Sequence, residues 1–119
     1  MSFNYKIIAV DFDGTLCENK WPEIGAANED LFAYLHSQRR AGAKIILWTN
    51  RVDERLDEAV EWCWKQGLIF DCVNENLPDV IKEFGSDTRK VFAHEYIDDR
   101  IHNGFKLPFE NASGKESGD

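Results

Sequence analysis

A chain of 119 residues has the length of one ordinary domain. Its 43% hydrophobic content is typical of a soluble globular protein, and no apolar run approaches the roughly 18 residues that a membrane span needs. The formal net charge of −8 argues against long nucleic acid as a partner, because such partners are bound mainly through Lys and Arg. Three cysteines without C-x-x-C spacing indicate neither a disulfide framework nor a zinc site, and the N-terminus shows no export signal. We therefore expect a cytoplasmic protein.

The first two predicted elements are a strand and a helix. Lys6 to Asp11 is rich in Ile and Val and apolar on both faces, which predicts a central strand of a parallel sheet. Residues 26–41 carry apolar side chains at helical spacing and are followed by Gly42, a typical left-handed C-terminal cap.

The same pair of elements is then repeated. Residues 43–51 form a second apolar run that stops at polar residues, which predicts a second strand. A second helix follows, with Asp53 as its predicted N-cap and Gly67 at its end. Its inner face is expected to carry Val52, Leu56, Ala59, Val60 and Cys63.

The last elements are shorter. Residues 68–74 predict a third strand, and Pro78 opens a short helix to about residue 84, because proline is favoured in a first helical turn. A fourth strand ends at residues 95–99, after which the pattern weakens to a closing turn or a short edge segment. We expect one domain over residues 1–109 and a disordered polar tail over 110–119.

Alternating strands and helices predict an α/β fold, a Rossmann-like three-layer sandwich with a central parallel sheet of at least four strands. Ligands of such sheets bind beyond the carboxyl ends of the strands. Carboxylates that meet there repel one another unless a cation or protons intervene, and Mg²⁺ prefers such oxygen ligands. The polar residues at the predicted strand ends are Asp11, Asp13, Thr49, Asn50, Arg51, Asn74, Glu75, Asn76, Asp98 and Asp99.

The order of these residues resembles the four motifs of the haloacid dehalogenase (HAD) superfamily of phosphotransferases. D-F-D-G-T-L follows the first strand, Thr49 ends the second, a lysine comes later, and Asp98-Asp99 end the fourth. The resemblance spans residues 5–100. It implies a Mg²⁺-dependent phosphatase that acts through an aspartyl-phosphate on a phosphorylated small molecule or on an exposed phosphate of a larger substrate.

The resemblance also implies roles for single residues. Asp11 would be the nucleophile that attacks phosphorus, and Asp13 the general acid and base, so that one difficult displacement becomes two easier ones. The Thr49 hydroxyl and the backbone N–H of Asn50 would hydrogen-bond the phosphoryl oxygens.

The same resemblance supplies a ligand set for Mg²⁺. It consists of the Asp11 carboxylate, the Asp13 backbone carbonyl and Asp98, with Asp99 assisting through water or an outer contact. The lysine of the motif is Lys90 if residues 90–94 curl back toward the active edge, and Lys82 is the competitor.

Substrate access is expected to be open, because neither interval between the motifs leaves room for a cap domain. Only a small flap at residues 17–25 could lean over the site, with Trp21 as the candidate aromatic contact to substrate. Arg51 and Asn76 are placed to contact the leaving group, and a neighbouring copy in a homo-oligomer could cover the site. The other tryptophans are expected in structural positions, Trp48 in the core and Trp62 and Trp64 on the second helix.

Three other functions stay open at this point. One is a receiver-like regulatory module, since receivers also combine carboxylates, a Thr and a Lys on a parallel sheet. Another is a HAD-like protein that binds metal and phosphate without catalysis. The third is a 3′-phosphatase on nucleotide ends, because G-S-D-T-R-K and I-D-D-R resemble polynucleotide phosphatase domains.

Overall fold

The computed structural model describes residues 3–88 and 90–98. Asp99, the predicted closing segment after residue 100 and the predicted tail at 110–119 lie outside these residues. In chain order the elements are β1 (Ile7–Val10), β2 (Cys17–Lys20), β3 (Glu23–Ala27), α1 (Glu29–Arg40), β4 (Lys44–Leu47), α2 (Asp53–Lys65), β5 (Cys72–Val73), α3 (Pro78–Phe84) and β6 (Glu95–Ile97).

The main sheet has four parallel strands in the order β5-β4-β1-β6. β1 is central, and its last residue, Val10, pairs with Leu47 of β4 on one side and with Ile97 of β6 on the other. β2 and β3 form a separate antiparallel hairpin. The predicted α/β fold with a parallel sheet of four strands is confirmed.

The two faces of the sheet are covered by different helices. Ile8 and Val10 of β1 belong to a core cluster that includes Leu31 and Leu35 of α1 and Cys63 of α2. Ile7 and Ala9 point the other way, into a second cluster with Val80 of α3. A strand buried on both faces must be apolar throughout, which explains the unbroken run of Ile, Ala and Val.

Several boundaries differ from the predictions. The first helix begins at Glu29 because the Asn28 side chain accepts a hydrogen bond from the backbone N–H of Leu31, at 3.2 Å, and so caps it. The residues before it belong to β3. The predicted Asp53 N-cap is wrong: the capping position is Val52, which makes no side-chain capping bond, and Asp53 is the first helical residue. The third strand is only Cys72–Val73, shorter than the predicted 68–74.

The other residues predicted to mark helix ends are confirmed. Pro78 stands at the start of α3, and Gly42 and Gly67 follow α1 and α2 with φ of +100° and +85°, the left-handed region in which glycine is favoured. Within residues 3–88 and 90–98 there is no cap domain, as predicted, because the chain between the main strands forms only the hairpin and the three helices. None of the helices in this part of the chain combines the length and apolar character that crossing a membrane would require.

Candidate active site

Two predicted site residues, Asp11 and Asp98, follow neighbouring strands at the carboxyl edge of the sheet. Val10 of β1 pairs with Ile97 of β6, and the backbone N–H of Asp11 donates to the Ile97 carbonyl at 2.9 Å. The next residues in this register are Asp11 and Asp98, on strands about 4.8 Å apart. The structure therefore places these two residues directly after neighbouring strand ends.

This pair lies where the order of strands reverses. Counted along the chain, the main strands stand in the order third, second, first, fourth, so successive strands are added on one side of β1 until β6 is added on the other. In open α/β sheets, ligands bind outside the carboxyl ends at such a switch point. Asp11 and Asp98 flank it.

A tight turn after Phe12 ends the first strand. The Phe12 carbonyl accepts hydrogen bonds from the N–H groups of Thr15 and Leu16, at 3.1 and 2.9 Å. Gly14 has φ of +81°, a conformation that costs glycine little. The Thr15 hydroxyl donates a hydrogen bond to Oδ2 of Asp11 at 3.4 Å. The regular strand therefore ends before Asp11, and the chain turns between Phe12 and Leu16.

Asp13 is held by an arginine from the loop before α2. Nε and Nη2 of Arg51 donate to Oδ2 and Oδ1 of Asp13 at 2.9 and 2.8 Å, a bidentate pair. Arg51 is 1% exposed, and the hydrogen bonds that it donates to Asp13 raise the pKa of its guanidinium above the ordinary value. The prediction that Arg51 contacts the leaving group directly is wrong for this conformation, because its donors are turned toward Asp13 and backbone carbonyls. The partners lie 38 residues apart in sequence, and no local pattern indicated the pairing.

Thr49 and Asn50 follow β4, next to Asp11 on β1. The backbone N–H of Trp48 still pairs with the Val10 carbonyl at 2.9 Å, so Thr49 is the first residue beyond the ladder. Its own N–H donates to Oδ1 of Asn74 at 2.8 Å, and its hydroxyl accepts from the N–H of Arg51 at 3.1 Å. Asn50 is exposed. Asn74 thus supports the loop that carries them at the carboxyl edge of the sheet, and their phosphate-binding role stays a prediction.

Asn76 organises the loop before β6 and is not open to substrate. It is 2% exposed, donates to the carbonyls of Thr88 and Lys90 at 3.3 and 3.4 Å and accepts from the N–H of Phe92 at 2.7 Å. Its predicted contact with the leaving group is therefore wrong. Residues 90–94 belong to no helix or strand, and the chain bends at Lys90 and at His94.

The two candidate lysines differ in surroundings. The Lys90 side chain is exposed on that loop. Lys82, on α3, borders two clefts. One is lined also by Tyr5 and Asp79, near the amino end of β1, and the other by Cys72 and Glu75. Lys90 as the motif lysine stays a prediction, with Lys82 as the competitor.

Oxygen donors at the carboxyl edge are of the chemical kind that Mg²⁺ prefers. In the ranges 3–88 and 90–98, no three His, Cys, Asp or Glu side chains form a metal-binding group, and Asp99 is outside those ranges. Mg²⁺ usually takes only one or two carboxylates and completes its octahedron with water and phosphate oxygens. Asp11 and Asp98 supply such a pair of hard oxygen donors. The Asp13 carboxylate is engaged by Arg51, which leaves its backbone carbonyl as the ligand that the resemblance implies.

The tryptophans divide differently from the prediction. Trp62 is structural as expected, with its ring centroid 5.6 Å from that of Phe12. Trp48 was expected in the core but is 38% exposed, 5.6 Å from the Tyr96 ring, and Trp64 is 61% exposed. Trp21, at the tip of the β2–β3 hairpin, is 58% exposed, and its ring centroid lies 4.9 Å from the guanidinium carbon of Arg51. The hairpin contains the residues predicted as a flap, 17–25.

Comparison with known proteins gives one informative relative. No family model and no curated protein matches the sequence. A solved structure, described as that of a conserved protein coded by a locus from Bacteroides thetaiotaomicron, is 36% identical, with 96% of this chain and 94% of that chain covered and a TM-score of 0.75. The identity and the nearly complete coverage of both chains show a common fold and a common ancestry. This chain therefore belongs to the same family as that conserved Bacteroides thetaiotaomicron protein.

Proposed function

We propose that the protein is a HAD-type, Mg²⁺-dependent phosphatase without a cap domain, in which Asp11 is the nucleophile. The observation that carries the proposal is that Asp11 and Asp98 directly follow β1 and β6, two neighbouring strands at the point where the strand order reverses. Thr49, a phosphate-binding candidate, follows the strand on the other side of β1.

The proposed chemistry has two steps. An oxygen of the Asp11 carboxylate attacks phosphorus, and the bond from phosphorus to the leaving oxygen breaks. That oxygen takes a proton from Asp13, which enters this step as the carboxylic acid and leaves it as the carboxylate that Arg51 binds. Water then attacks the phosphorus of the aspartyl-phosphate, Asp13 takes the proton from the water, and Asp11 and inorganic phosphate are released. Each step is a displacement aided by one positioned acid or base.

Charge neutralisation is the main physical requirement of this reaction, because an anionic nucleophile approaches an anionic phosphate. Mg²⁺ bound by Asp11 and Asp98 would supply positive charge beside the phosphoryl oxygens. The Thr49 hydroxyl and the Asn50 backbone N–H would donate hydrogen bonds to those oxygens, and Lys90 would contribute a second positive charge.

The strand order disfavours the receiver-like alternative. Receiver domains have the flavodoxin-like order 2-1-3-4-5, in which the third strand lies next to the first. Here the second strand in chain order, β4, and the fourth, β6, are the neighbours of β1. In receivers the phosphorylated aspartate follows the third strand, whereas here β5 is the edge strand and is followed by Asn74.

Hydrolysis of an aryl phosphate, measured with Mg²⁺ and after its removal by a chelator, tests the proposal. We expect Mg²⁺-dependent turnover in the native protein and a loss on the order of 10³-fold or more in kcat for Asp11→Asn, since the nucleophile is removed. Asp30→Asn, the same change on the exposed start of α1, is the matched control and should retain activity. Turnover by Asp11→Asn at the native rate would exclude Asp11 as nucleophile. A panel of phosphate esters that includes 3′-phosphorylated nucleotides would then separate general phosphatases from the nucleotide-end variant.

A further inference from the structure

Arg51 connects three separate parts of the chain. Besides its two bonds to Asp13, it donates from Nη2 to the Glu23 carbonyl at 3.0 Å and from Nη1 to the Arg55 carbonyl at 3.4 Å. Asp13 belongs to the turn after β1, Glu23 to the hairpin and Arg55 to the first turns of α2. All three guanidinium nitrogens are therefore used.

The guanidinium also contacts two aromatic rings. Its carbon lies 4.9 Å from the centroids of both Phe12, which is buried, and Trp21, which is 58% exposed. Arginine is suited to such a place because its flat, weakly hydrated cation stacks on rings while its edge makes directed hydrogen bonds. A lysine ammonium keeps the charge but cannot make the parallel bidentate bonds.

The hairpin depends on contacts with the rest of the molecule. An isolated two-stranded hairpin is marginally stable at best in water, and β2–β3 shares no strand ladder with the main sheet. The Asp13–Cys17 bridge holds its base. Arg51 reaches its tip, where it contacts both Trp21 and the Glu23 carbonyl.

We propose that Arg51 is a positioning residue that fixes the Asp13 carboxylate and the tip of the β2–β3 hairpin in one common arrangement. The inference rests on the proposed phosphatase function, in which Asp13 serves the leaving oxygen. Because one guanidinium contacts both Asp13 and Trp21, the hairpin tip forms the wall on the leaving-group side of the site. Arg51 thus holds the hairpin in place as this wall, and the orientation of Asp13 depends on the position of the hairpin.

Arg51→Lys tests this role with the positive charge retained. We expect kcat for an aryl phosphate to fall by about 10²-fold, the scale of loss that a misplaced catalytic group produces, with KM changed by less than about twofold. Arg39→Lys, which alters the partly exposed arginine–aspartate pair at Asp71, should keep the native kcat. In Arg51→Ala, added guanidinium ion should restore part of kcat, since it can occupy the vacated place.

Hydrogen exchange gives a readout that does not need activity. Amides of residues 17–27 should exchange faster in Arg51→Lys than in Arg39→Lys, because the hairpin tip loses its attachment. If the two variants exchange alike over the hairpin, the proposed connection is overturned.

The outcomes separate this inference from the proposed function. Native activity in Asp11→Asn, or no Mg²⁺-dependent turnover by the unaltered protein, defeats the phosphatase assignment, and hairpin exchange still decides the structural connection. A dead Asp11→Asn together with a fully active Arg51→Lys overturns only the role of Arg51. A raised KM with unchanged kcat in Arg51→Lys would mean that Arg51 binds substrate directly, which also overturns the positioning role.

Discussion

Two arginine–aspartate pairs with similar chemistry lie at opposite edges of the sheet. At the amino edge, Nη1 of Arg39 in α1 lies 2.6 Å from Oδ2 of Asp71, and Arg39 also donates to the Ile69 carbonyl. At the carboxyl edge, Arg51 pairs with Asp13 and donates to the Glu23 carbonyl. Each pair thus joins an arginine to one carboxylate and to at least one backbone carbonyl.

The pairs differ in burial and in what the carboxylate does. The side chains of Arg39 and Asp71 are 33% and 23% exposed, and Asp71 also accepts the N–H of Ile45 at 2.8 Å, so this pair secures the loop before β5. The Arg51 side chain is 1% exposed, and the carboxylate of its partner, Asp13, is the candidate acid and base. The same kind of ion pair therefore serves structure at the amino edge and, by our proposal, catalysis at the carboxyl edge. Only the carboxyl edge adjoins the switch point, where ligands of such sheets bind.

The largest expected effect on stability comes from Arg51→Ala. Breaking a buried pair by removing one partner typically costs about 3 to 5 kcal/mol, and the partial exposure of Asp13 places our expectation near 3 kcal/mol. Urea unfolding followed by circular dichroism measures it. Adding Asp13→Asn to the same chain should recover part of the loss, since no carboxylate is then left without its cation. A loss no larger than that of Arg39→Ala would contradict the difference between the two edges.

Gly25→Ala disturbs the hairpin without altering Arg51. A methyl group at Gly25 would overlap the carbonyl oxygen of Glu18 and lie 2.8 Å from Cγ of Lys20 across the hairpin. We expect a loss of about 2 kcal/mol in the free energy of unfolding and a lower kcat, because the wall that holds Asp13 through Arg51 is displaced.

Gly42→Ala is the matched control for that change. A methyl group there meets no atom within 4 Å, although its φ of +100° makes any side chain strained. It should lower stability while leaving kcat unchanged. If Gly25→Ala also leaves kcat unchanged, the hairpin has no part in the catalytic arrangement.

Arg39→Ala should have a smaller effect. Partly exposed ion pairs contribute up to about 1 kcal/mol, and we expect a loss near that upper value because Arg39 also supports the Ile69 carbonyl. The loss should shrink in high salt, which screens this pair more than the buried one. A catalytic defect in this variant at native stability would show that the amino edge is not purely structural.

The smallest expected effect is a change in the rate at which the buried cysteine thiols are alkylated. Burial raises the pKa of Cys17 to about 11 and that of Cys63 to about 12, so both should resist alkylation in the folded protein. Arg51→Ala should speed labelling of Cys17, which lies at the base of the hairpin, more than Arg39→Ala does. Labelling of each cysteine by iodoacetamide can be followed by peptide mass spectrometry.

Local rules predicted the elements whose signals lie in the sequence itself. The continuous apolar run identified β1, and Pro78 identified the start of α3. The ends of β1 and β6 were predicted as parts of one edge because parallel strands place all their carboxyl ends together.

The rest depends on tertiary contacts. Polar residues of β2 gave no strand pattern, since three of the four are exposed and the hairpin is held by contacts elsewhere. The Arg51–Asp13 pair joins segments that are distant in sequence, and so do the hydrogen bonds of the buried Asn76 amide. For this reason Arg51 and Asn76 were mistaken for substrate contacts. Asn28 was missed as a cap because the apolar spacing of α1 continued into β3.

The most direct test of the central claim is to trap the covalent intermediate on Asp11. The protein is mixed with an aryl phosphate and Mg²⁺, quenched, and treated with borohydride, which reduces an aspartyl-phosphate to homoserine. Peptide mass spectrometry then identifies the altered residue. We expect homoserine at position 11 in the native protein and none in Asp11→Asn. Mg²⁺-dependent turnover without any modification at Asp11, or with modification at Asp13 or Asp98 instead, would contradict it.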